Sequence, residues 1–69
     1  MFKVIGYVSR VAGPLVEAES SVRACMQEMV EVGNDRLVGE IVRLRGPRIT
    51  IQVYEDTTSL KPGAPVYGS

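Results

Sequence analysis

RLVGEIVRLRGPRITIQVYE, residues 36–55, decides the fold of this chain. Two runs rich in β-branched residues, 36–44 and 48–55, flank Arg45-Gly46-Pro47-Arg48, which carries the Gly-Pro punctuation of a hairpin loop. Setting Leu44 opposite Ile49 brings Val42 opposite Ile51 and Glu40 opposite Val53. Leu44, Val42, Ile49, Ile51 and Val53 then share one face, the expected core face, while Arg43, Thr50, Gln52 and Ile41 take the other. Glu40 is the misfit of that register, and Gly39 beside it offers a bulge that would turn the carboxylate outward.

Upstream, KVIGYVSRVAG at 3–13 reads as a strand closed by the Gly13-Pro14 turn. Strict alternation puts Val4 and Val8 on one side and Ile5, Tyr7 and Val11 on the other. Such two-sided apolarity fits either a buried central strand or a face covered from elsewhere. PLVEAE at 14–19 is a second short strand. Downstream, the stretch from Thr57 holds Pro62-Gly63 and forms a loop leading to a short strand at Pro65–Tyr67.

Between these lies an ambiguous segment. Val22, Cys25, Met26, Met29 and Val30 repeat as the apolar stripe of a helix, with Ser21 as a cap. MVEVG at 29–33, running into Gly33-Asn34, reads instead as a strand closing on a turn. Periodicity by itself favours the helix.

Composition narrows the function. The chain has 69 residues, room for one domain with a thin core. Below roughly 70–80 residues such a core seldom gives more than about 3–5 kcal/mol, and disulfides, a metal or a partner usually supplement it. Cys25 is the single cysteine and histidine is absent, so an internal disulfide is impossible and the commonest metal ligand and general base are missing. A partner surface remains as the supplement, as does tight packing of a monomer. Eight basic and eight acidic residues cancel, and Phe2, Tyr7, Tyr54 and Tyr67 are scattered, against a nucleic-acid binder. No apolar run reaches the length of a membrane span and no signal peptide opens the chain, so a reduced, cytosolic setting is expected.

Chemistry is hard to place. No phosphate-binding GxxxxGK[ST] pattern occurs, and Lys3 and Lys61 sit in neither a glycine-rich loop nor a strand-to-helix turn. Glu55-Asp56 would point to opposite faces of a strand, and Asp56-Thr57-Thr58 reads as a turn whose side chains bond backbone N–H groups. Cys25 is read as a small buried hydrophobe, with a reactive thiol as the alternative, and Met26 and Met29 as core filler. Arg36, Arg43, Arg45 and Arg48 gather around the hairpin. They form either a solvated face near Glu31, Asp35 and Glu40 or a contact for an acidic partner or RNA. No catalytic, cofactor-binding or metal-binding residue is assigned.

RVAGPLVEAE at 10–19 and LVGEIVRLRGPRITIQVYEDTTSLKPGAPV at 37–66 resemble the N-terminal region of the catalytic A subunit of V-type and archaeal A-type rotary ATPases. The resemblance runs from about Gly6 to Ser69, and IQVYEDTT with VGEIVRL is its most specific part. It implies a small closed all-β barrel of about six antiparallel strands, residues 1–69 forming one domain of a longer protein. In such enzymes these barrels form a crown where A and B subunits alternate around a ring, peripheral to the membrane and without direct contact with it. Bound ATP and magnesium belong to a following domain, so no cofactor is expected on these residues and no catalytic position carries over. Gly13-Pro14 would be the first turn, Gly39 would lie within a strand, and Ile51 and Val53 would point into the barrel. Cys25 and Gln27 depart from the commoner Lys and Tyr, yet the resemblance implies a strand from Cys25 to Val32, against the helical period. The rival reading is a free-standing RNA- or ribosome-binding barrel.

Overall fold

The hairpin forms, and one extra residue changes its faces. In the computed structural model, which describes residues 2–21 and 26–68, β4 (Leu37–Arg45) pairs antiparallel with β5 (Arg48–Val53). Leu44 faces Ile49 as expected, but Ile41, not Val42, faces Ile51, and Gly39, not Glu40, faces Val53. The register slips at Val42, which bulges out of the ladder. A bulge reverses which side chains point inward beyond it. Ile41 is therefore 0% exposed while Val42 is 36% exposed, the reverse of the sequence assignment. Leu44 keeps the inward phase at the loop end of the strand but stays exposed. The bulge also resolves the Glu40 misfit: Glu40 faces Gln52 on the outer wall, and Gly39 is a regular ladder position.

The other strands are β1 (Lys3–Ala12), β2 (Leu15–Ser20), β3 (Met29–Val32) and β6 (Pro65–Gly68). They close in the order β1-β2-β5-β4-β3-β6, every neighbouring pair antiparallel. Closure leaves no unpaired sheet edge. The interior is filled by side chains, chiefly Ile5, Ile41, Ile49 and Ile51 with Val16, Val30, Val32 and Val66, all buried. Ile51 and Val53 point inward as the sequence implies.

β1 shows why alternation misread its faces. Ser9 is an extra residue against β2, and Ile5 an extra residue against β6. With these slips Ile5 and Val8 are both buried and Val11 packs against the same core. Val4 and Tyr7 are left on the outer wall, Tyr7 57% exposed. The strand is thus neither buried on both sides nor covered within this chain.

The ambiguous segment is a strand only at Met29–Val32, whereas residues 26–28, expected to belong to that strand, precede it, 26 and 27 as a turn. Met29–Val32 is strand β3, paired to β4 and β6. Just before it, the Gln27 N–H bonds the Ile41 carbonyl at 2.7 Å and the Ile41 N–H bonds the Glu28 carbonyl at 3.0 Å, so the chain already runs along β4. Met26 and Gln27 form a turn, with Gln27 at φ 65°. The expected strand start at Cys25 lies outside the described residues. Met26 and Met29 are not core filler: they are 52% and 48% exposed. On a strand, Val30 and Val32 take the inward phase and Met29 the outward one, so the helical stripe never assembles.

Loop 57–64 is tied down by backbone. Val8 N–H bonds the Ala64 carbonyl, Gly63 N–H bonds the Val8 carbonyl, and the Thr57 hydroxyl donates to the Gly13 carbonyl, all within 2.8 Å. The loop thereby delivers β6 to the gap between β1 and β3.

Candidate functional site

Charge and apolar surface lie on the outer wall, since no buried side chain among the described residues is polar or charged. The four arginines divide. Arg36, in the β3–β4 turn at φ 57°, holds Glu31 through Nε at 2.6 Å and lies over the Tyr67 ring at 3.8 Å from its centroid. This is a cation–π stack that ties the turn to β6. Arg43, Arg45 and Arg48 gather on β4 and β5, where with Glu17 and Thr50 they line a cleft of about 100 Å³. Arg48 reaches Glu19 at 3.5 Å, both side chains more than half exposed, a weak surface pair. A shallow groove of about 240 Å³ adjoins this cleft, floored by Ala12, Leu15 and Val42 and rimmed by Arg10, Glu17 and Arg43.

The strand order explains the groove. β2 and β4 flank β5, so Leu15, opposite Gln52, and the bulged Val42 come to the same outer surface. Sequence reading placed Val42 inside and did not single out Leu15 or Arg10. The signal for them was a register that only the bulge reveals.

The carboxylates 55 and 56 do not converge. Glu55 accepts from the Val38 N–H at 2.9 Å, an outside tie to β4. Asp56 accepts from both the N–H and the hydroxyl of Thr58, the turn expected from Asp56-Thr57-Thr58. The Thr58 hydroxyl, then its N–H, hold the Asp56 carboxyl below the ordinary range. On the outer wall Tyr54 donates its hydroxyl to Glu40, which raises the Tyr54 pKa because a phenolate would lose that bond and face a carboxylate. Lys3 opens β1, and Lys61 lies with Asp35 and Ser59 along a polar depression of about 350 Å³ between the β3–β4 turn and loop 57–64. The described residues hold no cluster of three or more metal-ligating side chains, and no helix among them is long and apolar enough to cross a membrane.

Because the folded Asp56 pKa lies below its unfolded value, its contribution to stability is present above the ordinary carboxylate range. It fades as pH falls through the folded value. An NMR titration of the Asp56 carboxyl is expected to give a midpoint below about 3.9, the ordinary value. Thr58→Ala should move that midpoint up. A midpoint indifferent to Thr58→Ala would show that the Thr58 hydroxyl does not hold the charge.

A closed six-stranded barrel with an interior of packed aliphatic side chains and its polar groups on the outer wall is, by class, a small all-β module. Residues 8–69 match the family model described as ATP synthase alpha/beta family, beta-barrel domain, and the chain belongs to that family. It is 61% identical over 64 residues to the A subunit of the A-type ATP synthase from Metallosphaera sedula, covering 93% of this chain and 11% of that protein. It is 59% identical over 66 residues to the corresponding protein of Hyperthermus butylicus, covering 96% and 11%. For Staphylothermus marinus the figure is 52% over 66 residues, again 96% and 11%. The chain thus spans about a tenth of the length of these relatives.

Proposed function

We propose that this chain is the N-terminal barrel of the catalytic polypeptide of an A-type ATP synthase, a non-catalytic module in a crown that holds alternating A and B subunits together. The carrying observation is identity of 61% along 93% of the chain with a protein of that name. Its neighbours are the barrels of adjoining A and B subunits, at the cytoplasmic periphery of a membrane complex that couples ATP turnover to proton or sodium movement. ATP and magnesium bind the part of the polypeptide beyond the barrel. A phosphate site needs a cradle of backbone N–H groups, a lysine and a magnesium-binding hydroxyl, and Lys3 and Lys61 stand in no such cradle. The outer wall supports an assembly role, since Val4, Tyr7, Leu15, Val42 and Tyr54 are all exposed there.

Two measurements test the two halves. Titration of the chain with ATP and magnesium in a calorimeter is expected to give no binding heat, and micromolar affinity would overturn the non-catalytic assignment. Removing the barrel from the catalytic polypeptide of a complete ATPase is expected to leave its ring unable to assemble stably. A ring that assembles normally without it would overturn the assembly role.

A further inference from the structure

Four arginines and two glutamates share two successive outward rungs of the barrel wall. Ile49 and Ile51 of β5 and Leu44 of β4 take the inward phase, so Arg43, Arg45, Arg48 and Thr50 point outward. One rung runs Arg10, Glu17, Thr50, Arg43 across β1, β2, β5 and β4, and the other runs Tyr7, Glu19, Arg48, Arg45. Glu17 thus has Arg10 beside it in the ladder, and Glu19 has Arg48 at 3.5 Å. Arg43 and Arg45 form no ion pair among the described residues.

Arg45 stands directly opposite Arg48 at the end of the hairpin. Like charges facing each other across a ladder destabilise it, and an outward side chain at 45 takes no part in filling the barrel. Local conflicts of this kind concentrate at functional sites. Arg43, Arg45 and Arg48 line a cleft of about 100 Å³ with Thr50 and Glu17. At roughly 30 Å³ per water, that is space for one small polyatomic ion. The geometry points to a binding site for a tetrahedral oxyanion of the phosphate type, held by Arg43, Arg45 and Arg48 with the Thr50 hydroxyl as a further donor.

The guanidinium fork matches such an ion, since it gives two parallel N–H bonds to neighbouring oxygens. The long, exposed contact of Arg48 with Glu19 is weak and exchanges readily for an anion. The arginines are also held in place. Ser20 N–H donates to the Pro47 carbonyl at 2.7 Å, and Arg48 is in ladder with Glu19, so the hairpin end is fixed to β2 rather than free as a loop. Glu17, the carboxylate of the lining, opposes an anion, but three arginines outnumber it and Arg10 offsets its charge from β1. Exposed charges are screened, so the affinity is millimolar. That separates this site from the micromolar nucleotide binding tested above.

The test titrates sodium phosphate into the chain at constant ionic strength, balanced with sodium chloride, and follows backbone amides and arginine Nε–H groups by NMR. Saturating shifts at Arg43, Arg45 and Arg48 are expected, with none at Arg36, and sulfate should compete. Arg43→Gln with Arg45→Gln should weaken binding about tenfold or more. Lys3→Gln with Lys61→Gln removes the same charge elsewhere and should leave it within about twofold. Circular dichroism of each variant confirms that the barrel is folded. The opposed arginines give a second readout. In chloride alone Arg45→Gln should raise the thermal midpoint, and added phosphate should raise the parent's midpoint more than the variant's. Shifts that never saturate, or that saturate equally in the arginine variant, would leave only a solvated charged face and overturn the proposal. Single-stranded RNA moving the same groups at micromolar concentration, while phosphate leaves them unmoved, would overturn it in favour of a nucleic-acid surface. A lower midpoint for Arg45→Gln in chloride would remove the conflict on which the site rests.

Discussion

Ile51→Ala is expected to lower the stability of the barrel by about 2–5 kcal/mol, the range for truncating a buried isoleucine. Ile51 is fully buried and lies between Val16 on β2 and Ile41 on β4, its partners in the two ladders. It also fills the space left by Gly39, where an added Cβ would come within 2.7 Å of Ile51 Cγ2. The strands on either side of β5 are held in closed ladders, so they cannot collapse into the cavity without breaking them. Since a core this small gives about 3–5 kcal/mol in all, the variant should be largely unfolded. Urea denaturation followed by far-ultraviolet circular dichroism measures the change. Ile41→Ala should behave similarly, whereas Val42→Ala should stay within about 0.5 kcal/mol, as at surface sites generally. If Val42→Ala proved the costlier of the two, the bulge at Val42 would be wrong and the unbulged register right.

Gly6→Ala is the second large effect, and its cause is backbone. A Cβ at Gly6 would overlap the Glu19 carbonyl oxygen and lie 2.9 Å from Ser20 Cα. Neither is the end of a flexible side chain, so β1 and β2 would have to separate. Their separation is resisted by the pairing of Gly6 with Ser20 and by the Ser21 N–H and hydroxyl, which donate to the Ile5 carbonyl at 2.7 and 3.1 Å. The cost is expected at or above about 1–3 kcal/mol, the usual range for overpacking. It should appear as a lowered thermal midpoint together with faster hydrogen exchange at the Ser20 and Ser21 amides. An alanine variant with the parent's midpoint and exchange would show that the two strands are not held this close.

A strand hidden under a helical period shows how local pattern and closure compete. Val22, Cys25, Met26, Met29 and Val30 carry the spacing of a helix face, and on that spacing the methionines belong inside. In the barrel, β3 is the strand that joins β4 to β6, so Met29–Val32 must be extended for the ladder to close. Closure pairs all four residues of β3 with β4 and Glu31 and Val32 with β6 as well, which outweighs a weak local preference. The resemblance anticipated this outcome, while the residues by themselves favoured the other.

Turn residues alone marked where most strands begin and end: the Gly13-Pro14 turn, the loop after Thr57 and the final strand lie where those residues put them, and the hairpin turn falls at 46–47, inside the expected loop, with Arg45 and Arg48 paired as strand ends. Local pattern was also enough for the inward pointing of Ile51 and Val53 and for the Asp56–Thr58 turn, both set by neighbours within a few residues. The faces of β1 and β4 were settled only when the barrel closed. A bulge is one extra residue placed to bend a strand around a small barrel, and it leaves no mark on composition while shifting every side chain beyond it. That is why Ile41 and Val42 exchanged places, and why Val8 and Val11 serve one core despite being an odd number of residues apart. The same cause hid the groove: Arg10, Leu15 and Val42 come from three strands, and they meet because β2 and β4 close on β5 from either side.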